Sequence, residues 1–211
     1  FTPEIEEPPR RSVSSAAVTA GRRSVSVLLV AHDGEGGEQR QQAQHAGADG
    51  WHLYLTAKAS ERLWPHPHGN GVVAHLTSPD LHSWEVGPPL GLPTGRFDQL
   101  EVISLAEVDG RWALTFSCLA TEIPGAAAGS GGVWSVAVEG PGSPVDLEAA
   151  VRLTTEDLYV GRVVAADEGP VLLAFANRDA SGAFEGGVTD PIPVRWRSDG
   201  RGLEMTPSVD V

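Results

Sequence analysis

Few residues in this chain combine the type and the spacing that chemistry requires. His66 and His68, in Trp64-Pro65-His66-Pro67-His68, have the His-x-His spacing of a metal pair. A zinc site needs three or four ligands in fixed geometry, and no partner cluster follows, so no metal and no cofactor is expected. Gly125-Ala126-Ala127-Ala128-Gly129-Ser130-Gly131-Gly132 lacks the Lys-Ser/Thr and the following helix of a phosphate loop, and reads as a surface connection. No Gly-x-Ser-x-Gly is present to carry a serine nucleophile. The single cysteine, Cys118, lies in the apolar run Leu114-Thr115-Phe116-Ser117-Cys118-Leu119, where a buried inert thiol is expected. None of these constellations carries chemistry by itself. A carboxylate, Glu101, stands ahead of an apolar strand in Gly95-Arg96-Phe97-Asp98-Gln99-Leu100-Glu101-Val102-Ile103.

The elements that would position such a residue are strands. The 211 residues include 25 glycines and 16 prolines, and 41% are hydrophobic, which favours many short strands joined by turns over helices. A net charge of −13, from 15 basic and 28 acidic residues, disfavours nucleic acid and anionic membranes and is compatible with a neutral ligand such as a sugar. No apolar stretch approaches the ~20 residues of a membrane helix. No signal peptide is visible and no intrachain disulfide can form, which favours the cytoplasm, although the chain starts at Phe1 rather than Met.

A repeat runs through most of the chain. The turn-and-strand units Asp49-Gly50-Trp51-His52-Leu53, Asp109-Gly110-Arg111-Trp112-Ala113-Leu114 and Glu168-Gly169-Pro170-Val171-Leu172 share one layout, and Gly50, Gly110 and Gly169 stand 60 and 59 residues apart. Each unit is expected to follow a strand (residues 25–30, 103–108 and 160–165) and to precede another (71–77, 132–138 and 186–188). Residues 33–50, rich in Gly, Gln and Glu, read as an exposed loop. Turn-separated strands at a fixed long period indicate a β-propeller, whose blades are four-stranded antiparallel sheets. A β-sandwich has similar strand content and is the alternative. Trp51, Trp112 and Trp134 alternate with apolar residues and are expected in the blade core.

Several segments resemble glycoside hydrolase family 32, the levanase, inulinase and invertase family. Val73-Ala74-His75-Leu76-Thr77-Ser78-Pro79-Asp80-Leu81-His82-Ser83-Trp84-Glu85 resembles a blade-closing segment of that family and of family 43, in which Ser78-Pro79-Asp80 supplies a turn and Trp84 fills a gap between blades. The segment around Glu101 is similar to the family's Glu-Cys-Pro motif, with Ile103 where the family has Pro. That likeness implies that Glu101 begins an innermost strand and acts as general acid/base, a role that needs a carboxylic acid beside the glycosidic oxygen. It also implies Asp98 and Gln99 as polar support. Leu158-Tyr159-Val160-Gly161-Arg162-Val163-Val164 resembles the last propeller blade, with Tyr159 and Arg162 directed at sugar hydroxyls. Nothing matches the family's Asn-Asp-Pro-Asn-Gly-like nucleophile motif. The Arg-Asp-Pro motif expected ahead of Gly50 has its nearest counterpart in Arg23-Ser24-Val25, without Asp or Pro.

The sequence therefore predicts an all-β fold: a five-bladed propeller of four-stranded antiparallel blades, of which this chain shows about three. Residues 1–21 are expected to be a tail or lead-in, 22–205 propeller blades and 206–211 a tail. The function implied by the resemblance is retaining hydrolysis of fructosyl linkages by a complete propeller. The alternative is a degenerate, non-catalytic sugar-binding or interaction propeller. The expected partner is a small or polymeric sugar, with self-association or further N-terminal blades completing the ring.

Overall fold

Asp109 and Gly110 both take positive φ, +51° and +73°. This is the backbone of a type I′ turn, whose twist suits the antiparallel strands it joins. The strands are β-branched and aromatic runs, as their propensities favour. The computed structural model describes residues 15–19, 24–28, 44–47, 50–59, 64–178 and 181–206. The chain divides into two units, Phe1–Gln39 and Arg40–Val211. The first contains an antiparallel hairpin of β1 (Ser15–Thr19) and β2 (Ser24–Leu28).

The second unit contains three antiparallel sheets that follow one another along the chain. The first sheet is β3 (Gln44–Gly47), β4 (Gly50–Lys58), β5 (Gly71–Ser78) and β6 (Glu85–Val86), in that order. The second is β7 (Glu101–Val108), β8 (Arg111–Cys118), β9 (Gly132–Val138) and β10 (Val151–Arg152), again a simple meander. The third is β11 (Leu158–Ala166), β12 (Gly169–Arg178), β13 (Phe184–Val188), β14 (Ile192–Trp196) and β15 (Leu203–Met205). Here β12 pairs with both β13 and β14. They form one strand interrupted before Pro191, a residue without the N–H that a ladder needs. Thr189 spans the interruption: its N–H donates to Ala174 O at 2.9 Å, and its Oγ1 accepts from Ala174 N at 3.1 Å.

Three details depart from the sequence reading. The strand ahead of Gly50 is Gln44–Gly47, within the segment read as a loop, whereas Ser24–Leu28 pairs with Ser15–Thr19. Ser15–Thr19 itself falls in the expected lead-in, and the remainder of 33–49 and 207–211 lie outside the described residues. The turn glycines mark the same hairpin in each sheet but not the same position. Gly50 and Gly169 pair with Gly47 and Ala166 as the first residues of their strands, whereas Gly110 sits inside its turn and Arg111 pairs with Val108.

The core forms because the middle sheet is covered on both faces, so β8 is buried along nearly its whole length. Leu114, Phe116 and Cys118 point to one side, with Tyr54, Val73, Phe97, Leu100, Trp134 and Leu147. Ala113 points to the other, with Val163, Leu172, Ala174 and Leu203. Phe97 meets Phe116 at 5.1 Å and Trp134 at 5.2 Å between ring centroids, both edge-to-face. The Arg96 guanidinium lies 5.0 Å from the Phe97 and Trp134 rings and donates to the carbonyls of Leu147, Glu148 and Ala150, which end a 3₁₀ turn. Trp84 donates within its own turn, to Leu81 O at 3.3 Å. That turn is knit by Ser78 Oγ and the Asp80 carboxylate, which accept the amides of residues 80–83.

Two buried histidines bridge β4 and β5. His52 Nδ1 and His75 Nε2 share a hydrogen bond of 2.9 Å, and the rings stack at 5.1 Å. Gly142 packs against the His52 ring and donates its N–H to Tyr54 Oη at 3.1 Å. Burial, and then the neighbouring His52, lower the pKa of His75 from 6.5. The folded state thus binds fewer protons than the unfolded chain in this range, and stability present above about pH 6.5 is lost as pH falls towards the folded-state pKa. The urea midpoint should therefore fall between pH 7.5 and 5.5, and His75→Gln should flatten that fall. An unchanged wild-type midpoint over this interval would contradict a His75 held neutral by burial.

Candidate active site

Glu101 is the first residue of β7, and Val102 after it has φ +51°. Positive φ is strained for a β-branched residue, at a cost of about 1–3 kcal/mol. The pairing of β7 with β8 shifts register between Glu101 and Ser104, so this is a β-bulge. The same device recurs one sheet later. Tyr159 precedes Val160, which has φ +53°, and the register of β11 on β12 shifts between Tyr159 and Arg162. Glu101 and Tyr159 thus occupy matching positions on the first strands of consecutive sheets.

The two bulges bring their side chains together. Tyr159 Oη donates to Glu101 Oε2 at 2.7 Å, and Gln99 Nε2 donates to Glu101 Oε1 at 2.5 Å. Burial first, and then the bond and charge of Glu101, push the Tyr159 phenol far above its ordinary pKa, so it stays protonated and donating. The Val160 N–H, displaced by the bulge, donates to Ser117 Oγ at 2.9 Å, and Ser117 stands opposite Glu101 on β8. Gly161 permits this approach, because a Cβ there would lie 2.7 Å from Val133 Cγ2.

An acidic cluster surrounds this contact. Glu122, on the 3₁₀ turn Ala120–Glu122 after β8, acts electrostatically on both Tyr159 and Cys118. Lys58 Nζ lies 4.0 Å from its Oε2. The Cys118 thiol is pushed up to about 12 by burial and then by Glu122, Glu101 and Asp98, which makes it an inert core group. Asp98 is engaged elsewhere: its carboxylate accepts the Gly69 N–H and lies 3.3 Å from His68 Nδ1. Arg162, past the bulge, pairs with Leu173 through its backbone, has its pKa lowered by burial, and its guanidinium makes no hydrogen bond or ion pair with the described residues. Of the residues singled out from sequence, the structure brings together Glu101, Gln99 and Tyr159, and ties Asp98 to the 64–70 loop.

Sequence reasoning missed Glu122, Lys58 and Ser117. Glu122 sits in an irregular connection, where no period marks its direction. Ser117 carried a signal, since Ala113, Thr115 and Ser117 form the small-residue side of β8. Among the described residues, no group of three His, Cys, Asp or Glu is arranged to hold a metal ion. A concavity of about 370 Å³ is lined by Ala137, Val138, Glu139, Pro144 and Asp146. It lies at the other end of the second sheet, because Val138 and Glu107 both pair with Trp112 while Glu101 pairs with Ser117. The perturbed tyrosine and the carboxylate it contacts, rather than that hollow, mark the candidate site.

No family model and no curated protein matches the sequence. Solved structures do. The chain is similar to the family 32 β-fructofuranosidase of Bombyx mori at 16% identity, with a TM-score of 0.59 over 78% of this chain and 36% of that one. It is similar to the inulosucrase of Halalkalicoccus jeotgali, solved with kestose, at 17% identity, with a TM-score of 0.59 over 92% and 61%. A family 32 glycoside hydrolase of Bifidobacterium adolescentis gives 14% identity and a TM-score of 0.52 over 89% and 38%. The chain has the propeller-like fold of the β-fructofuranosidases. It spans between 36% and 61% of the length of these three structures. In the terms of that fold, β7 and β11 are the first strands of consecutive blade-like sheets, and Glu101 and Tyr159 meet where these strands begin.

The packing at Gly161 is directly testable. Gly161→Ala forces the added methyl group into Val133 and Leu172, and overpacking of this kind costs about 1–3 kcal/mol. Chemical denaturation should show a loss of that size. A variant as stable as the parent would mean that β11 does not need this close approach.

Proposed function

We propose that this chain forms part of a five-bladed propeller that hydrolyses fructosyl linkages with retention, with Glu101 as general acid/base. The observation that carries the reading is the hydrogen-bonded carboxylate itself: Glu101 is held from both sides, by Gln99 at 2.5 Å and Tyr159 at 2.7 Å, at the head of a first strand. Such a carboxyl group can give its proton to the glycosidic oxygen as the bond to the leaving group breaks. It can then take a proton from the water that releases the fructosyl unit. Tyr159, as donor to Oε2, serves as a positioning residue in this reading. When Glu101 carries the proton it gives to the sugar, Oε2 keeps a lone pair that still accepts from the phenol, so the contact survives the acid/base cycle.

A retaining mechanism also needs a second carboxylate about 5–5.5 Å from the first. In this reading a further blade of the ring supplies it. One observation favours the rival, a sugar-binding propeller without turnover. The strand that precedes the Gly50 turn is Gln44-His45-Ala46-Gly47, which has no acid where the family's Arg-Asp-Pro motif is expected.

The two readings separate in one experiment on the longest natural form of the protein. Under the hydrolase reading, Glu101→Gln lowers kcat on a fructoside about 10²–10⁴-fold. The loss shrinks for substrates with good leaving groups, which need little protonation. A loss that is the same for every leaving group would assign Glu101 a structural role. Sugar binding without turnover in the parent protein would establish the rival.

A further inference from the structure

Residues 64–70, which lead into β5, are bound to the segment that delivers Glu101. Gly69 O accepts the Gly95 N–H at 3.1 Å, Phe97 O accepts the Gly71 N–H at 2.8 Å, and the Asp98 carboxylate accepts the Gly69 N–H. Gly69 and Gly95 cross so closely that a Cβ on Gly69 would stand 2.0 Å from Gly95 Cα. The stretch 95–98 is the one that delivers Gln99 and Glu101, so the loop and the candidate site are coupled through backbone. Within the loop, Pro65 and Pro67 restrict the chain. The Trp64 indole is fixed by its Nε1–H, which donates to His68 O at 2.8 Å, and its ring lies near Gly95, whose built Cβ would be 3.8 Å from Cζ2. The exposed His66 ring meets the indole edge-to-face at 5.1 Å, and the His68 side chain is 70% exposed.

We propose that Trp64, with His66 and His68, is a second sugar-binding subsite that holds an outer unit of a neutral oligosaccharide whose inner unit lies at Glu101. The proposal rests on the reading of the Glu101 site as a sugar site. The chemistry fits the ligand class. A partly exposed indole offers an apolar face to the C–H side of a sugar ring, while the adjacent imidazoles offer donors and acceptors to its hydroxyls. Residues 64–70 are tied to 95–98 by hydrogen bonds, which lowers the freedom that binding must remove. A net charge of −13 disfavours an anionic saccharide and leaves a neutral one.

The test titrates the longest natural form of the protein, carrying Glu101→Gln, with sucrose and with the trisaccharide kestose by calorimetry, with and without Trp64→Ala. NMR follows the His66 and His68 ring signals. The trisaccharide should bind about three- to tenfold more tightly than the disaccharide, and Trp64→Ala should remove that margin while sucrose affinity is unchanged. Trp64→Phe, which keeps an aromatic face, should retain most of it, and the two histidine signals should move with kestose alone. Equal affinities for the two sugars, or a margin that survives Trp64→Ala, would overturn the subsite and leave the reading of Glu101 standing. Failure of sucrose itself to bind would refute that reading, and the subsite with it. If Trp64→Ala does not fold, the Phe variant and the histidine signals decide: a kestose complex that leaves both signals in place overturns the proposal.

Discussion

The contact between Tyr159 and Glu101 depends on how closely β11 lies against the middle sheet. That closeness is steric before it is chemical. One side of β8 presents Ala113, Thr115 and Ser117, and Gly161 carries no side chain where Val133 and Leu172 press inward. Larger residues on either side would separate the sheets and carry the phenol away from the carboxylate. The positive φ of Val102 and Val160 is a cost borne locally. It is sustained because the surrounding packing is over-determined, and Ser117 Oγ accepts the amide that the second bulge displaces. Strain of this kind concentrates where side-chain direction matters more than local stability.

The strands themselves were legible because their signal is local. Alternation along β4, β7 and β11, and the Asp-Gly turn before Arg111, need only neighbouring residues to be recognised. β3 was missed for the same reason: Gln44-His45-Ala46-Gly47 has no β-branched or large aromatic residue, and only its pairing with β4 makes it a strand. The one-residue offset at Gly110 was equally hidden, since a glycine inside a turn and a glycine just after one look alike in sequence.

The candidate site was legible residue by residue but not as an arrangement. Glu101 and Tyr159 were each picked out by the likeness of their segments to those of family 32. Their bond spans 58 positions and follows from two bulges that no period reveals. Asp98 shows the converse. Its place beside Gln99 suggested support for Glu101, yet its carboxylate is taken up by the backbone of Gly69. A short polar side chain with an amide in reach acts on the backbone first, and sequence proximity says little about which amide that is.

The middle sheet has no face of its own towards water. Its strands are complete as a meander, yet one face is covered by the first sheet and the other by the third. Such a sheet is not a module that can be excised or transplanted singly. Its apolar residues gain their burial only when both neighbours are in place, which links the folding of all three sheets into one cooperative event. Variation is therefore confined to the two ends of the strands, where connections can lengthen without altering what is buried. Glu101 and the loop that carries Trp64 lie at one such end, so new specificities can arise there while the packed middle stays unchanged.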